Sequence, residues 1–147
     1  MKKTEREKRV FIKVLIVDDS DIMRERLVTM ISEIEGVKVI GQAQNADEAI
    51  ELVEKLEPDV VILDIRMTGE SGISVLQKIK TKKPAPIVIV FTNYPYPQYR
   101  QICLKLGTDF FFDKSTEFHK LPETLKELVH RSDIAGKKEK LNNDKEN

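Results

Sequence analysis

Strand-length apolar runs alternate with helix-period segments from about residue 11 to residue 132, and that alternation admits few folds. Runs such as Ile12-Lys13-Val14-Leu15-Ile16-Val17 and Val60-Val61-Ile62-Leu63 are too apolar for any surface, so they demand a sheet covered on both faces. Repeated strand-helix units around a buried parallel sheet meet that demand, which places the chain in the α/β class. The same two runs end in carboxylates, Asp18-Asp19 and Asp64. If those ends are adjacent, three negative charges share a small volume, and a hard divalent cation is the natural way to hold them there.

The spacing predicts five strand-helix units. Strand one covers about 12 to 18, and Ser20 or Asp19 caps a helix whose apolar residues Ile22, Met23, Leu27, Met30, Ile31 and Ile34 keep a 3.6 period up to Gly36. Strand two, 37 to 41, alternates as an edge strand does. Asn45 opens the second helix with Glu48 three residues on, in the manner of a capping box. Pro58 leads into strand three, about 59 to 64, and a loop with Gly69 and Gly72 precedes helix three, about 72 to 81. Strand four is 87 to 92, followed by Asn93-Tyr94-Pro95-Tyr96-Pro97 and a helix with Tyr99, Ile102, Cys103 and Leu106 on one stripe, closed by Gly107. Strand five is 109 to 113, and helix five runs from about Glu117 to His130.

Outside this stretch the composition changes. Residues 1–10 read as a charged N-terminal tail and 133–147 as a disordered polar C-terminal tail, leaving 11–132 as one domain. Lysine plus arginine equals aspartate plus glutamate at 25 each, so no global field favours nucleic acid or an anionic membrane. No apolar stretch approaches the roughly 20 residues of a membrane span, and the basic N-terminus has no apolar region behind it to make a secretion signal. The single cysteine, Cys103, excludes an internal disulfide and a cysteine-based zinc site, and it fits a reducing compartment. The cytoplasm is the expected location.

Ligands of an open parallel sheet collect outside the carboxyl ends of its strands. Four of the five predicted strands present polar groups there: Asp18 and Asp19, Asp64, Thr92, and Lys114 just past strand five. Mg²⁺ prefers about six oxygens and shares them between carboxylates, water and phosphate. Asp19 and Asp64, helped by Asp18, supply the protein share; Asp64 is also a candidate nucleophile toward phosphorus. Lys114 offers a compact positive charge and Thr92 a hydroxyl donor for phosphoryl oxygens.

These residues, in this order, resemble the receiver domain of two-component response regulators. The resemblance is carried by Val14-Leu15-Ile16-Val17-Asp18-Asp19-Ser20, Val61-Ile62-Leu63-Asp64-Ile65-Arg66-Met67-Thr68-Gly69, Val88-Ile89-Val90-Phe91-Thr92 and Phe111-Phe112-Asp113-Lys114. It implies a flavodoxin-like, doubly wound (βα)5 fold with strand order 2-1-3-4-5, two helices on one face and three on the other. It also implies a free-standing switch, not an enzyme: Asp64 takes a phosphoryl group from a histidine kinase or phosphotransfer protein in the presence of Mg²⁺. The backbone carbonyl of Arg66 would join Asp18, Asp19 and Asp64 at the metal. Thr92 and Phe111 would form the switch pair, the ring turning inward as the hydroxyl moves, with the face of helix four, strand five and helix five reporting the change to an unidentified protein target. A monomer or a phosphorylation-dependent dimer is expected, with no direct contact to nucleic acid or membrane.

The chain departs from the family pattern at four places. Thr68 replaces the common proline after Met67, Asn93 stands where a small residue is usual, Ser115 replaces the proline that commonly follows the lysine, and Phe111 lacks the hydroxyl of a tyrosine. Arg66 and Tyr94 would border the path of an attacking water and are expected to set the lifetime of the phosphoryl group.

Blander readings cover the remaining residues. Turn geometry accounts for Gly69 and Gly72, His119 and His130 read as exposed, Cys103 as core, and two of Phe110, Phe111 and Phe112 as core packing. Three further functions stay open: the N-terminal receiver part of a DNA-binding response regulator, a Mg²⁺-dependent phosphohydrolase with Asp64 as nucleophile, and a degenerate receiver that works unphosphorylated. The second would need a base to activate water and a substrate pocket. The third is disfavoured by the intact acid set.

Overall fold

The computed structural model of the chain describes residues 11–67 and 71–132. The two predicted tails, and Thr68 and Gly69 of the loop after Asp64, lie outside the described residues. Five parallel strands, β1 (Ile12–Val17), β2 (Val37–Ala43), β3 (Val60–Leu63), β4 (Ile87–Thr92) and β5 (Phe110–Asp113), form one sheet in the order β2-β1-β3-β4-β5. The connecting helices are α1 (Asp21–Ser32), α2 (Ala46–Leu56), α3 (Gly72–Ile79) and α4 (Pro97–Lys105), and α5 covers residues 120–132. This is the flavodoxin-like order expected from the sequence.

The period of two along each strand divides the core. Leu15, Val17, Val61, Leu63, Val88, Val90 and Phe111 turn to one face, where they meet Ala49 and Val53 of α2, Val75, Leu76 and Ile79 of α3, and Cys103 of α4. Val14, Ile16, Val60, Ile62, Ile89 and Phe91 turn to the other, against Leu27 and Ile31 of α1 and Leu121, Leu125 and Leu128 of α5. At about 1.5–3 kcal/mol for each fully buried aliphatic side chain, these two layers supply the main drive to fold.

Local signals start and stop the helices largely as the sequence predicts. The Ser20 side chain accepts from the Met23 N–H, and Asn45 Oδ1 accepts from the Glu48 N–H at 2.9 Å. Glu48 closes its side of the box one residue early, accepting from the N–H of Gln44. Residue Glu57 ends α2 in the left-handed region, φ 47°, directly before Pro58. Beyond α4, Gly107 has φ 96°, and the N–H groups of Gly107 and Thr108 donate to the carbonyls of Leu104 and Cys103 in a Schellman arrangement.

Several details differ from the sequence reading: α1 ends at Ser32, short of Gly36, and Ile22, read as part of its apolar stripe, is 73% exposed. β2 runs on to Ala43 and bulges by one residue opposite Val14/Leu15, because the Asp18 N–H still finds the Ala43 carbonyl at 3.0 Å. α3 stops at Ile79 instead of continuing to 81, its last carbonyls met by Lys80 and by the turn that follows. α5 begins at 120 and not at 117, since Glu117 is held in a turn with its N–H on the Asp113 carbonyl and its carboxylate on the Asp113 N–H. Ile102, assigned to the inward stripe of α4, is 43% exposed, and Cys103 beside it takes the buried position. Among the described residues no helix is long and apolar enough to cross a membrane.

Candidate functional site

The carboxyl ends of β1, β3, β4 and β5 bring the predicted residues to one edge of the sheet. Asp18 follows β1 and Asp64 follows β3; the N–H of Asp64 bonds the Val17 carbonyl at 2.9 Å, which sets the two strand ends side by side. One ligand oxygen from each of Asp18, Asp19 and Asp64 can be chosen so that all three lie within 4.8 Å of one another. Lys114 reaches into this group from the end of β5, with Nζ 2.6 Å from Asp18 Oδ2 and 3.0 Å from Asp64 Oδ2. Asp18, Asp64 and Lys114 are buried, and Asp19 is exposed at the rim.

The electrostatics follow from that burial. Desolvation pushes the Asp64 carboxyl above its ordinary pKa; Lys114 opposes the shift and Asp18 adds to it. Burial works against the Lys114 ammonium, yet Asp64 and Asp18 together hold its pKa above the usual lysine value. Lys114 faces Asp18 and Asp64 together, and the oxygens of Asp18, Asp19 and Asp64 could hold a metal ion. The oxygen-only donor set suits a hard ion such as Mg²⁺ better than zinc or copper.

Thr92 closes β4 with its side chain fully buried. Its carbonyl accepts from the Lys114 N–H at 2.9 Å, so the two residues share one backbone junction. The hydroxyl oxygen accepts from the Tyr94 N–H at 3.0 Å, which leaves its own O–H to donate. Phe111 lies opposite Val90 in the neighbouring strand and is only 5% exposed, with the guanidinium of Arg100 4.8 Å from its ring centroid. The backbone N–H of Arg66 donates to Asp64 Oδ1 at 3.1 Å, while its guanidinium stacks on the Tyr94 ring at 4.1 Å. That contact begins a row, with Tyr94 to Tyr96 at 6.3 Å and Tyr96 to Tyr99 at 5.9 Å between ring centroids.

Several contributors were not read from the sequence. Gly72 is one: a Cβ there would stand 2.2 Å from the Asp64 carbonyl oxygen, so the start of α3 approaches Asp64 as closely as only glycine permits. Turn geometry, the sequence explanation, does not account for it, because Gly72 is absent from the positive-φ residues. Ser71 caps α3 and directs its hydroxyl to the Ile65 carbonyl at 3.3 Å. The turn after Lys114, where a proline was missed, is instead organised by Asp113, which accepts from the Ser115 N–H and the Thr116 hydroxyl. Arg24 is the last, with Nη1 2.6 Å from the Asp18 carbonyl. His119 and His130 are exposed, as expected.

Comparison with known proteins agrees with this geometry. The family model described as "Response regulator receiver domain" matches residues 14–126. The nitrate/nitrite response regulator protein NarL of Escherichia coli is 31% identical over 119 residues, covering 81% of this chain and 53% of the relative. The protein-glutamate methylesterase/protein-glutamine glutaminase of Bacillus subtilis is 33% identical over 135 residues, covering 88% of this chain and 38% of the relative. The chain thus spans about half or less of the length of these relatives. Among solved structures, the response regulator domain of Thermotoga maritima CheB superposes with a TM-score of 0.72 at 32% identity, covering 83% of this chain and 96% of that domain. On its matched residues, its strand order and its acid edge, this chain belongs to the response regulator receiver domains of two-component signal transduction.

Proposed function

We propose that Asp64 accepts a phosphoryl group from the phosphohistidine of a sensor histidine kinase or phosphotransfer protein. An Asp64 carboxylate oxygen forms the new O–P bond while the donor's N–P bond breaks, and the electron pair of that bond leaves with the imidazole nitrogen. The observation that carries this reading is the pairing of a buried Asp64 with Lys114 at 3.0 Å, with oxygens of Asp18 and Asp19 within 4.8 Å of one of its own. Asp18, Asp19, Asp64 and the Arg66 carbonyl would hold Mg²⁺, which when bound supplies positive charge for the phosphoryl oxygens. Lys114 serves one phosphoryl oxygen with a charge that is already in place, and Thr92 serves another with its free O–H. The movement of Thr92 and Phe111 then alters the face formed by α4, β5 and α5, to which a downstream protein responds. Arg66 and Tyr94, stacked beside the acceptor, set how long the acyl phosphate resists water.

The protein works in this reading as a cytoplasmic switch, monomeric or dimerising on phosphorylation, whose own chemistry ends at self-phosphorylation and loss of its phosphoryl group. Incubation with a small acyl phosphate donor and Mg²⁺, followed by intact mass, is expected to add one phosphoryl group to the parent and none to Asp64→Asn. A parent that never gains that mass would sink the proposal. Replacement of Arg66 by Asn or Tyr94 by Ala is expected to change the decay rate of the modified species; parental decay in both variants would remove them from that role.

A second reading draws on the greater length of the relatives and on the likeness to a DNA-binding response regulator of Staphylococcus aureus: the same receiver chemistry placed at the front of a DNA-binding response regulator. The mass of the native gene product decides between the two.

A further inference from the structure

Asp18 presents four polar groups, and each has a partner in a different part of the chain. Its N–H donates to the Ala43 carbonyl at 3.0 Å, Oδ1 accepts from the Ser20 N–H at 2.9 Å, and Oδ2 accepts from Lys114 at 2.6 Å. The fourth group, its carbonyl, accepts from Arg24 Nη1 at 2.6 Å. Arg24 stands in the first turn of α1, where a positive charge opposes the helix dipole and would ordinarily cost a few tenths of a kcal/mol. Its side chain is nevertheless only 13% exposed, and its second nitrogen, Nη2, is paired with the Asp21 carboxylate. The guanidinium therefore bridges Asp18, the residue after β1, to Asp21, the first residue of α1, across the turn that carries Asp18 and Asp19.

We infer that Arg24 is a positioning residue for the cation pocket. It fixes the Asp18-Asp19 turn before the dication arrives, so the carboxylates need not be ordered at the moment of binding. The inference rests on the metal-binding reading given above. Lys114 holds the carboxylate of Asp18 and Arg24 holds its backbone, so the two act at different points of the same residue.

The sign of the effect separates this role from its rivals. A through-space charge effect predicts that removing a cation beside three carboxylates tightens Mg²⁺ binding. A purely structural helix brace predicts lower stability with unchanged affinity. Positioning predicts weaker binding.

Calorimetric titration of the whole chain with Mg²⁺ at physiological salt tests this on three variants, with urea unfolding run in parallel. Arg24→Met, which keeps the apolar stem, is expected to raise Kd about tenfold, as loss of an outer partner of a metal ligand commonly does. Asp21→Asn leaves the carbonyl bond in place and is expected to stay within about twofold, because its exposed charge is screened. Arg24→Lys keeps the charge but loses the two-pronged bridge; an expected rise of about threefold carries the test should Arg24→Met not fold. Equal or tighter Mg²⁺ binding by the folded Arg24 variants overturns the inference. Failure of the parent chain itself to bind Mg²⁺ overturns the metal reading and this one with it.

Discussion

Both ends of the sheet carry aspartates, and they do different work. β3 is bracketed by Asp59 and Asp64, and β5 by Asp109 and Asp113. At the amino end, Asp109 accepts from the Val88 N–H at 2.8 Å and from Lys80 at 2.7 Å, and Lys80 also donates to the Pro86 carbonyl at 2.8 Å. Asp59 likewise takes the Lys13 N–H at 2.9 Å. One acid meets one lysine, the Asp109 side chain is 38% exposed, and the spare capacity of both goes to backbone. At the carboxyl end one lysine serves two buried acids with a third beside them, and the side chains of Lys114, Asp18 and Asp64 are 5%, 3% and 8% exposed. A balanced, wet pair ties loops together. Two buried acids on one buried lysine carry a desolvation cost that stability alone would not select.

Breaking each end separately tests that contrast. Lys114→Ala leaves Asp18 and Asp64 buried without their ammonium and is expected to cost about 3 kcal/mol in urea unfolding without metal. Lys80→Ala removes a partly exposed pair and is expected to cost about 1 kcal/mol. Costs of equal size at the two ends would erase the distinction.

Asp64→Asn sharpens it with the opposite sign. Since burial raises the Asp64 pKa, the folded chain holds that proton more tightly than the unfolded chain does. The associated stability is fully present below the ordinary carboxyl range and is lost as pH rises through the raised folded value. Near neutral pH and without metal, Asp64→Asn is therefore expected to be more stable than the parent, with the difference vanishing in acid. Saturating Mg²⁺ should reverse the order, because only the parent keeps the full acid set to bind it. A variant less stable than the parent across the whole pH range would contradict that desolvation cost.

The smallest expected effect concerns Cys103. Burial raises its thiol pKa to about 11, so at pH 8 the native chain should resist alkylation and react only on unfolding. Rapid labelling of the folded protein would show that α4 opens away from the sheet.

The fold was legible because each strand announces itself twice, by alternation or a wholly apolar run and by the breaker that follows. Asp18, Asp19, Asp64, Thr92 and Lys114 were legible for a related reason: a polar residue at the end of such a run has one edge of the sheet to occupy. Asp59 and Asp109 show the limit of that argument, since strand-adjacent acids occur at both edges and only their partners distinguish them. What stayed hidden depends on contacts between elements. Gly72 matters because the start of α3 meets the Asp64 carbonyl, which no local pattern encodes. Ile102 and Cys103 both satisfy the helical period, and only the direction of α4 over the sheet buries one and exposes the other. Arg24 left a trace, a cation in a first helical turn against the dipole, and a local rule broken without visible gain deserves to be read as a pointer to a site.

The row that starts at Arg66 has a practical consequence. The chain has no tryptophan and only three tyrosines, and all three stand in that row. Its tyrosine emission therefore originates within one short path between Arg66 and α4, so the protein carries its own optical probe along that path.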